Sequence, residues 1–358
     1  MKVFFRTDAG NVIGAGHVMR CLTLADTLQE AGAACHFICR EEVGHMLDYI
    51  RERGHHAHSL SPELTWQQAA KATAGIIQQA GGQNPALVTD HYQIDKHWQQ
   101  LLRPYVGKIM AIDDLADRAH DCDILLDQNM VPNMESRYSN LVPEGCKTHL
   151  GPGYALLRPE FMALAQQNKT RTFPPQHIFI NFGGGDQFGM TLKTLLALDE
   201  LDYQGHVTIV AGPMNPDAET LEHRYAQRPN VSFYKSTNKM AELMHKADLA
   251  IGAGGGATWE RMCLGLPSIT ITTADNQVPI ADCLAEQGLT YYAGKAEDLS
   301  IHDLEKALHD ALKDPKDIQS ISKQTAAFMA RGTVTDTSAF WGGLLLSDNT
   351  DVPPHANT

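Results

Sequence analysis

The 358-residue sequence predicts an α/β protein of two doubly wound, parallel-sheet domains facing each other across a cleft. Three observations carry this reading. The chain is too long for one ordinary hydrophobic core, so two domains are expected. Short apolar runs alternate with stretches of helical spacing along most of its length, the pattern of a parallel sheet with crossover helices. Each half also opens on an apolar strand that empties into a glycine-bearing loop.

In the first half, a strand at Val3–Arg6 leads into Thr-Asp-Ala-Gly-Asn-Val-Ile-Gly-Ala-Gly-His. Val18, Cys21, Leu22, Ala25 and Leu28 then recur at helical spacing, and Gly32 ends that helix. A strand at Cys35–Cys39 and a helix near Val43–Arg53 follow, then strands at Ala86–Thr89, Lys108–Ile112 and Ile124–Leu126. The turn-rich Gly-Pro-Gly-Tyr-Ala-Leu-Leu-Arg-Pro-Glu-Phe (Gly151–Phe161) and the polar stretch ending in Pro174-Pro175 mark a connection between domains. The expected division is 1–150, a linker 151–175, and 176–318. A helix within 319–346 crosses back to the first domain, and the tail 347–358 is disordered.

In the second half, His177–Asn181 leads into Phe-Gly-Gly-Gly-Asp, which places Gly183 and Gly184 at a strand end. Strands are expected at Val207–Ala211, Val231–Tyr234, Asp248–Gly252, Ser268–Thr272 and Thr290–Tyr292. Helices fill the gaps at Asn238–Lys246, Thr258–Leu264, Val278–Gln287 and Ile301–Lys313.

A formal net charge of −13 argues against a nucleic-acid partner, and no apolar run reaches the roughly 20 residues that span a bilayer. The first residues turn polar too soon for a secretion signal. Seven cysteines without a Cys-x-x-Cys pair read as reduced, buried small hydrophobes of a cytoplasmic protein, and no metal-ligand spacing stands out. The cluster Gly54-His55-His56-Ala57-His58 reads as exposed rather than metal-binding.

The stretch from Leu249 to Ser268 is the most informative. An apolar strand runs into Gly254-Gly255-Gly256, then into a helix beginning near Ala257 and Thr258. Glycines let a ligand approach the backbone, and a helix start presents unpaired N–H groups to an anion. Glu260 follows within the first turn, where a carboxylate can accept hydrogen bonds from a ribose. Strand, glycines, helix and acid together suit a nucleoside diphosphate. The dinucleotide fingerprint fails in both halves, because Met19 and Trp259 stand where its third glycine belongs, and no glycine is followed by Lys and then Ser or Thr. No cofactor is expected.

His17 follows Gly14-Ala15-Gly16 in the first turn of the first helix, where the helix dipole lowers its pKa and keeps the ring neutral. A neutral imidazole at a cleft mouth can take a proton from water. Asp8 can orient that ring or the loop, and Arg20 either reaches a phosphate or faces solvent. Asp90, His91 and Tyr92 lie just past a buried strand, as do Asp113 and Asp114. Either acidic group serves a site or caps a helix. Asn276 and Gln277 are placed to bond sugar hydroxyls or an N-acetyl group, or to cap the helix that follows.

The run Phe-Arg-Thr-Asp…Ile-Gly-Ala-Gly-His-Val-Met-Arg-Cys-Leu-Thr-Leu-Ala resembles the UDP-sugar hydrolases of pseudaminic acid biosynthesis, which release 2,4-diacetamido-2,4,6-trideoxy-L-altrose from UDP. The resemblance extends through Thr-Asp-His-Tyr, Ile-Asp-Asp-Leu-Ala-Asp-Arg, Asp-Gln-Asn, the segment Gly151–Phe161 and Gly-Gly-Gly-Ala-Thr-Trp-Glu-Arg, roughly residues 1 to 340. It implies a GT-B architecture of two Rossmann-like domains, with UDP held mainly by the second. It also implies that His17 is the general base and that Tyr92 and Asn276 line the sugar site. The glycine-rich helix start is shared with sugar-nucleotide transferases such as the one that adds N-acetylglucosamine to the peptidoglycan precursor. A metal-independent hydrolase acting as a monomer is therefore expected. In that scheme Gly14, Gly16, Asp8, Arg20, Tyr92, Asn276 and Gln277 face the sugar. Gly183, Gly184, Gly255, Gly256, Ala257, Thr258 and Glu260 hold UDP. A GT-B transferase, a GT-B epimerase and a non-catalytic sugar-nucleotide binder are the alternatives.

Overall fold

The computed structural model describes residues 1–347 apart from 12, 168, 314, 315 and 335. The chain forms two compact units. Unit 1 comprises residues 1–128, 133–156 and the C-terminal segment from 334; unit 2 comprises 129–132 and 157–333. The segment 319–346, within which a returning helix is expected, is divided between them, and its part from 334 belongs to unit 1.

Unit 1 runs β1 (Lys2–Thr7), α1 (Gly16–Glu30), β2 (Ala34–Arg40), α2 (Leu47–Glu52), β3 (His56–Leu60), α3 (Trp66–Ala80), β4 (Ala86–Asp90), α4 (Lys96–Leu102), β5 (Lys108–Ile112), β6 (Ile124–Asp127) and β7 (Lys147–Leu150). Its seven strands are all parallel, in the order β3-β2-β1-β4-β5-β6-β7. Central strands such as β4 are buried along their whole length, as helices on both faces require. One apolar layer, including Phe5, Val18, Leu22, Phe37 and Val88, lies on one face; another, including Phe4, Ile77, Trp98 and Leu125, lies on the other.

Unit 2 contains α5 (Pro159–Ala165), β8 (His177–Asn181), α6 (Met190–Glu200), β9 (His206–Val210), α7 (Ala218–Tyr225), β10 (Val231–Tyr234), α8 (Met240–Lys246) and β11 (Leu249–Ala253). It continues with α9 (Ala257–Cys263), β12 (Ser268–Thr272), α10 (Val278–Glu286), β13 (Tyr291–Lys295), α11 (Ile301–Lys313) and α12 (Lys316–Gly332). Its parallel sheet has the order β10-β9-β8-β11-β12-β13. Both units are Rossmann-like.

The last helix, α13 (Thr337–Leu346), packs on α1 and buries Trp341 and Leu345 in the unit 1 core. Its Asp336 cap accepts from the Ala339 N–H at 2.9 Å. Lys108 Nζ, at the start of β5, donates to the Leu344 and Ser347 carbonyls at its other end. Phe340 and Trp341 make edge contacts with His149 of β7. The break before α13 follows Gly332, and Asp336 restarts the helix. The tail from 348 onward, expected to be disordered, lies outside the described residues.

Three local expectations are corrected. The stretch taken as linker contains α5, whose Phe161 is fully buried in a unit 2 core with Phe179 and Leu266. Arg171, in the same stretch, is also buried and donates to the Ala247, Leu264 and Gly265 carbonyls, so it closes the C-terminal ends of α8 and α9 together. The helix expected from Val43 starts only at Leu47, because the positive φ of Gly44 turns the chain first.

The histidine cluster expected on the surface is strand β3 and the residue before it. His55 is 5% exposed and pairs through Nε2 with Asp26 Oδ1 at 2.8 Å. His56 is exposed as expected and His58 half-buried, and both stack on His36 of β2, at ring-centroid distances of 4.3 and 5.5 Å, while Phe4 covers the other side of His36. Among the described residues no group of three or more His, Cys, Asp or Glu side chains is arranged to hold a metal ion.

Candidate functional site

In a doubly wound sheet, ligands bind beyond the carboxyl ends of the strands where the strand order reverses. In unit 1 that reversal lies between β1 and β4, which pair in parallel from Val3↔Ala86 to Thr7↔Asp90. Beyond β1 come Asp8 and the loop to α1; beyond β4 come His91 and Tyr92. The loop is pinched by a bridge between Gly10 and Gly14, and Gly14 has φ +76°. Neither Gly14 nor Gly16 has another group near the place a side chain would fill, so the backbone is approachable there.

His17 is 6% exposed, in the first turn of α1. Its ring meets Tyr92 edge-on at 4.6 Å between centroids, and its Nε2 lies 3.9 Å from Asp90 Oδ1. Its Nδ1 is buried without a hydrogen-bond partner. Burial lowers the His17 pKa; the Asp90 and Asp114 carboxylates oppose that shift and Arg20 adds to it. The ring is therefore held neutral. The expected direction is found, with burial as its largest cause.

Two carboxylates divide the charges around this ring. Asp8, one candidate for orienting it, is instead gripped bidentately by Arg6 at 2.6 and 2.9 Å. It also accepts from the Arg40 N–H and faces His91 Nε2 at 3.2 Å. The Gln93 N–H donates to His91 Nδ1, so the His91 proton sits on Nε2, pointing at Asp8. Burial opposes ionisation of Asp8, but the hydrogen bond from His91 and the charge of Arg6 hold its carboxyl well below the usual range. Asp8 thus fixes the loop and β2.

Asp90 is the carboxylate that faces His17. Arg20 Nε and Nη2 each reach it at 2.6 Å, and Arg20 Nη1 reaches Asp114 at 3.3 Å. The Arg20 guanidinium is committed to these carboxylates. Tyr92 donates to the same Asp114 at 3.4 Å. Burial and Asp114 push the Tyr92 hydroxyl well above its ordinary range, so it remains a proton donor. Asp113 lies apart, held by Arg118 and Tyr138.

In unit 2 the reversal lies between β8 and β11. Both glycine loops therefore leave neighbouring strand ends. The first is ordered by Asn181, whose Nδ2 donates to Val210 O while its Oδ1 accepts from the Gly183 N–H. A side chain at Gly212 would collide with the Gly183 and Gly184 carbonyl oxygens, so the β9 end and this loop touch backbone to backbone. In the second loop, Gly256 has open space where a side chain would stand, and at Gly255 a side chain would meet only Gln277 Nε2, at 3.8 Å. The Ala257 and Thr258 residues form the first turn of α9, with the Thr258 hydroxyl turned inward to accept from Arg261 Nη2 at 3.0 Å.

Gln277 Oε1 accepts from the Thr273 N–H at 2.9 Å, which leaves its Nε2 on the Gly255 side of the amide. Asn276 occupies the preceding position of the same short turn, Asp275–Gln277.

Glu260 accepts from Arg158 Nε at 2.8 Å, and that guanidinium lies over the Phe161 ring at 4.7 Å. Arg158 was legible only as part of a connecting segment. Arg261 also escaped notice; it is 1% exposed and donates to Ala253 O at 2.8 Å, while its Nε has no hydrogen-bond partner. Burial lowers its pKa to about 10, against the favourable charge of Glu260.

Residues 179–335 match the model of the glycosyltransferase family 28 C-terminal domain. Over 289 residues the chain is 28% identical to the UDP-2,4-diacetamido-2,4,6-trideoxy-beta-L-altropyranose hydrolase of Campylobacter jejuni, a match covering 80% of this chain and 97% of that protein. It is 32% identical over 149 residues to the spore coat polysaccharide biosynthesis protein SpsG of Bacillus subtilis, covering 41% and 44%. Among solved structures, MurG of Acinetobacter baumannii superimposes with a TM-score of 0.65 at 16% identity, covering 96% of this chain and 99% of that one. No described helix is long and apolar enough to cross a membrane. The chain thus has the GT-B fold, matches the glycosyltransferase family 28 C-terminal domain model over residues 179–335, and is similar over most of its length to a UDP-sugar hydrolase.

Proposed function

We propose that the protein hydrolyses UDP-2,4-diacetamido-2,4,6-trideoxy-β-L-altrose to UDP and the free sugar, a step towards pseudaminic acid. Unit 2 holds the UDP on its two glycine loops, with Glu260 on the ribose. Unit 1 supplies the base, with Tyr92 on the sugar. Water attacks the anomeric carbon and gives a proton to His17. The new C–O bond forms as the bond to the diphosphate oxygen breaks, and its electron pair leaves with UDP. Attack from the face opposite UDP inverts the anomeric centre. UDP is a weak base, so its departure needs hydrogen bonds from the loop N–H groups more than a proton. The scheme uses no cofactor or metal and describes a monomer in the cytoplasm.

The observation that carries hydrolysis over transfer is the likeness along 97% of the Campylobacter hydrolase. The neutral, buried imidazole of His17 supports it, because a base for water must be unprotonated near neutral pH. The test is NMR of the purified protein with this UDP-sugar, without metal or acceptor, beside His17→Leu. Free sugar and UDP from the wild type alone are expected. Intact substrate in the presence of saturable UDP binding overturns hydrolysis and points to a transferase or a binding protein. A 2-epimerised product points to an epimerase.

A further inference from the structure

We propose that Asp90 is the positioning residue for the nucleophilic water, which it shares with His17, and that Arg20 holds the Asp90 carboxyl group in place for that task. The inference rests on the hydrolytic reading above.

The geometry is specific. At 3.9 Å, His17 Nε2 and Asp90 Oδ1 are too far apart for a direct hydrogen bond. One water about 2.8 Å from each would subtend roughly 90° at its oxygen, close to the angle between a water's own two protons. A single water can therefore donate one proton to the imidazole and the other to the carboxylate. This leaves its lone pairs for an electrophile.

The two acceptors are unequal. Asp90 is 1% exposed and already accepts both Arg20 bonds, and Cys21 Sγ lies 3.5 Å from its Oδ2. A carboxylate so engaged is fixed in orientation and serves as a hydrogen-bond acceptor. His17 has no such engagement at Nε2. In the reaction, the proton directed at His17 transfers to Nε2 as the water oxygen bonds to the anomeric carbon. The proton directed at Asp90 stays on that oxygen and becomes part of the sugar's new hydroxyl. Asp90 then faces an imidazolium, whose charge it stabilises.

The groups facing His17 are Asp90 from β4, Arg20 from its own helix, His91 and Tyr92 beyond β4, and Asp114 beyond β5. Asp90 is the nearest carboxylate. Its removal withdraws charge that favours imidazolium, so the His17 pKa falls further and the acidic limb of the rate profile moves to lower pH.

Asp90→Asn alone strands the buried Arg20 cation, so the kinetic test also uses the double variant D90N/R20M, which removes both charges. Misplacing the water costs about 100-fold in kcat, while KM and the dissociation constant for UDP stay within threefold. In Asp90→Asn, NMR titration of the His17 ring without ligand shows a lower pKa than in wild type. An active wild type with a double variant retaining kcat within threefold overturns the role of Asp90 and leaves the hydrolase reading intact. So does an unchanged His17 titration, or a loss of UDP affinity that parallels the loss of rate. A wild type that leaves the UDP-sugar intact removes the hydrolase reading, and the water's role with it.

Discussion

Arg158 Nε and Glu260 Oε1 meet at 2.8 Å, tying the first residue before α5 to the acid in the first turn of α9. The ribose acid of the proposed UDP site is thus held by a residue about a hundred positions earlier. Glu260→Gln weakens the charge-assisted bond and the ribose contact together. The expected outcome is a KM increase of about tenfold with kcat changed less than threefold, measured by steady-state release of UDP. Arg158→Met gives the same pattern if positioning Glu260 is its task.

His17→Asn removes the base and leaves unit 2 untouched. Turnover falls about 10²- to 10⁴-fold, with UDP binding by calorimetry unchanged. Because burial lowers the His17 pKa, the acidic limb of the wild-type kcat/KM profile is centred below 6.5. An acidic limb centred above 6.5 contradicts this assignment.

Acid sensitivity of the fold has identifiable sources. Burial, with His56, His58 and Lys2 nearby, lowers the His36 pKa to about 4. Burial beside His206 and Lys169 does the same for His177, also to about 4. Unfolded, both titrate near 6.5. As pH falls from 6.5 towards 4 the unfolded chain binds protons that the folded chain refuses, so stability declines through that window and levels off below it. His36→Phe flattens part of this decline in denaturant midpoints measured from pH 7 to 4.

The loop contact at Gly212 tolerates no side chain, and its φ of +94° adds backbone strain to any replacement. Gly212→Ala pushes the Gly183–Gly184 loop outward. It costs about 1–3 kcal/mol of stability by thermal melting and weakens UDP binding, whereas His17 titrates as in wild type.

Trp341 is 1% exposed within the apolar layer of unit 1. Trp341→Ala lowers the stability of that unit by about 3–5 kcal/mol in chemical denaturation, although the residue lies more than 300 positions from α1, on which its helix packs.

Central strands were legible because parallel strands covered on both faces must be apolar throughout, as Ala86–Asp90 and Lys108–Ile112 largely are. The strands that escaped, His56–Leu60 and Lys147–Leu150, are the two edges of the same sheet, where half-exposed polar residues are allowed. The glycine loops and His17 could be read from local order alone. Asp90 and Arg20 could not be paired from sequence, since 70 positions separate them. A bidentate contact leaves no periodicity to read, and the same arginine suits a phosphate equally well. Arg158 was hidden for a related reason, because proline, glycine and tyrosine around it signal turns whatever the arginine binds.

The passage of α13 into the unit 1 core reverses the usual order of assembly on the ribosome. Most of the first unit emerges early, yet Trp341 and Leu345 arrive only after all of unit 2 has been translated. Until then the face of α1 that receives them is exposed to chaperones and to other nascent chains. A premature stop near residue 333 would leave unit 2 with its whole sequence and unit 1 unfinished, so the damage from C-terminal truncation falls on the half of the molecule made first.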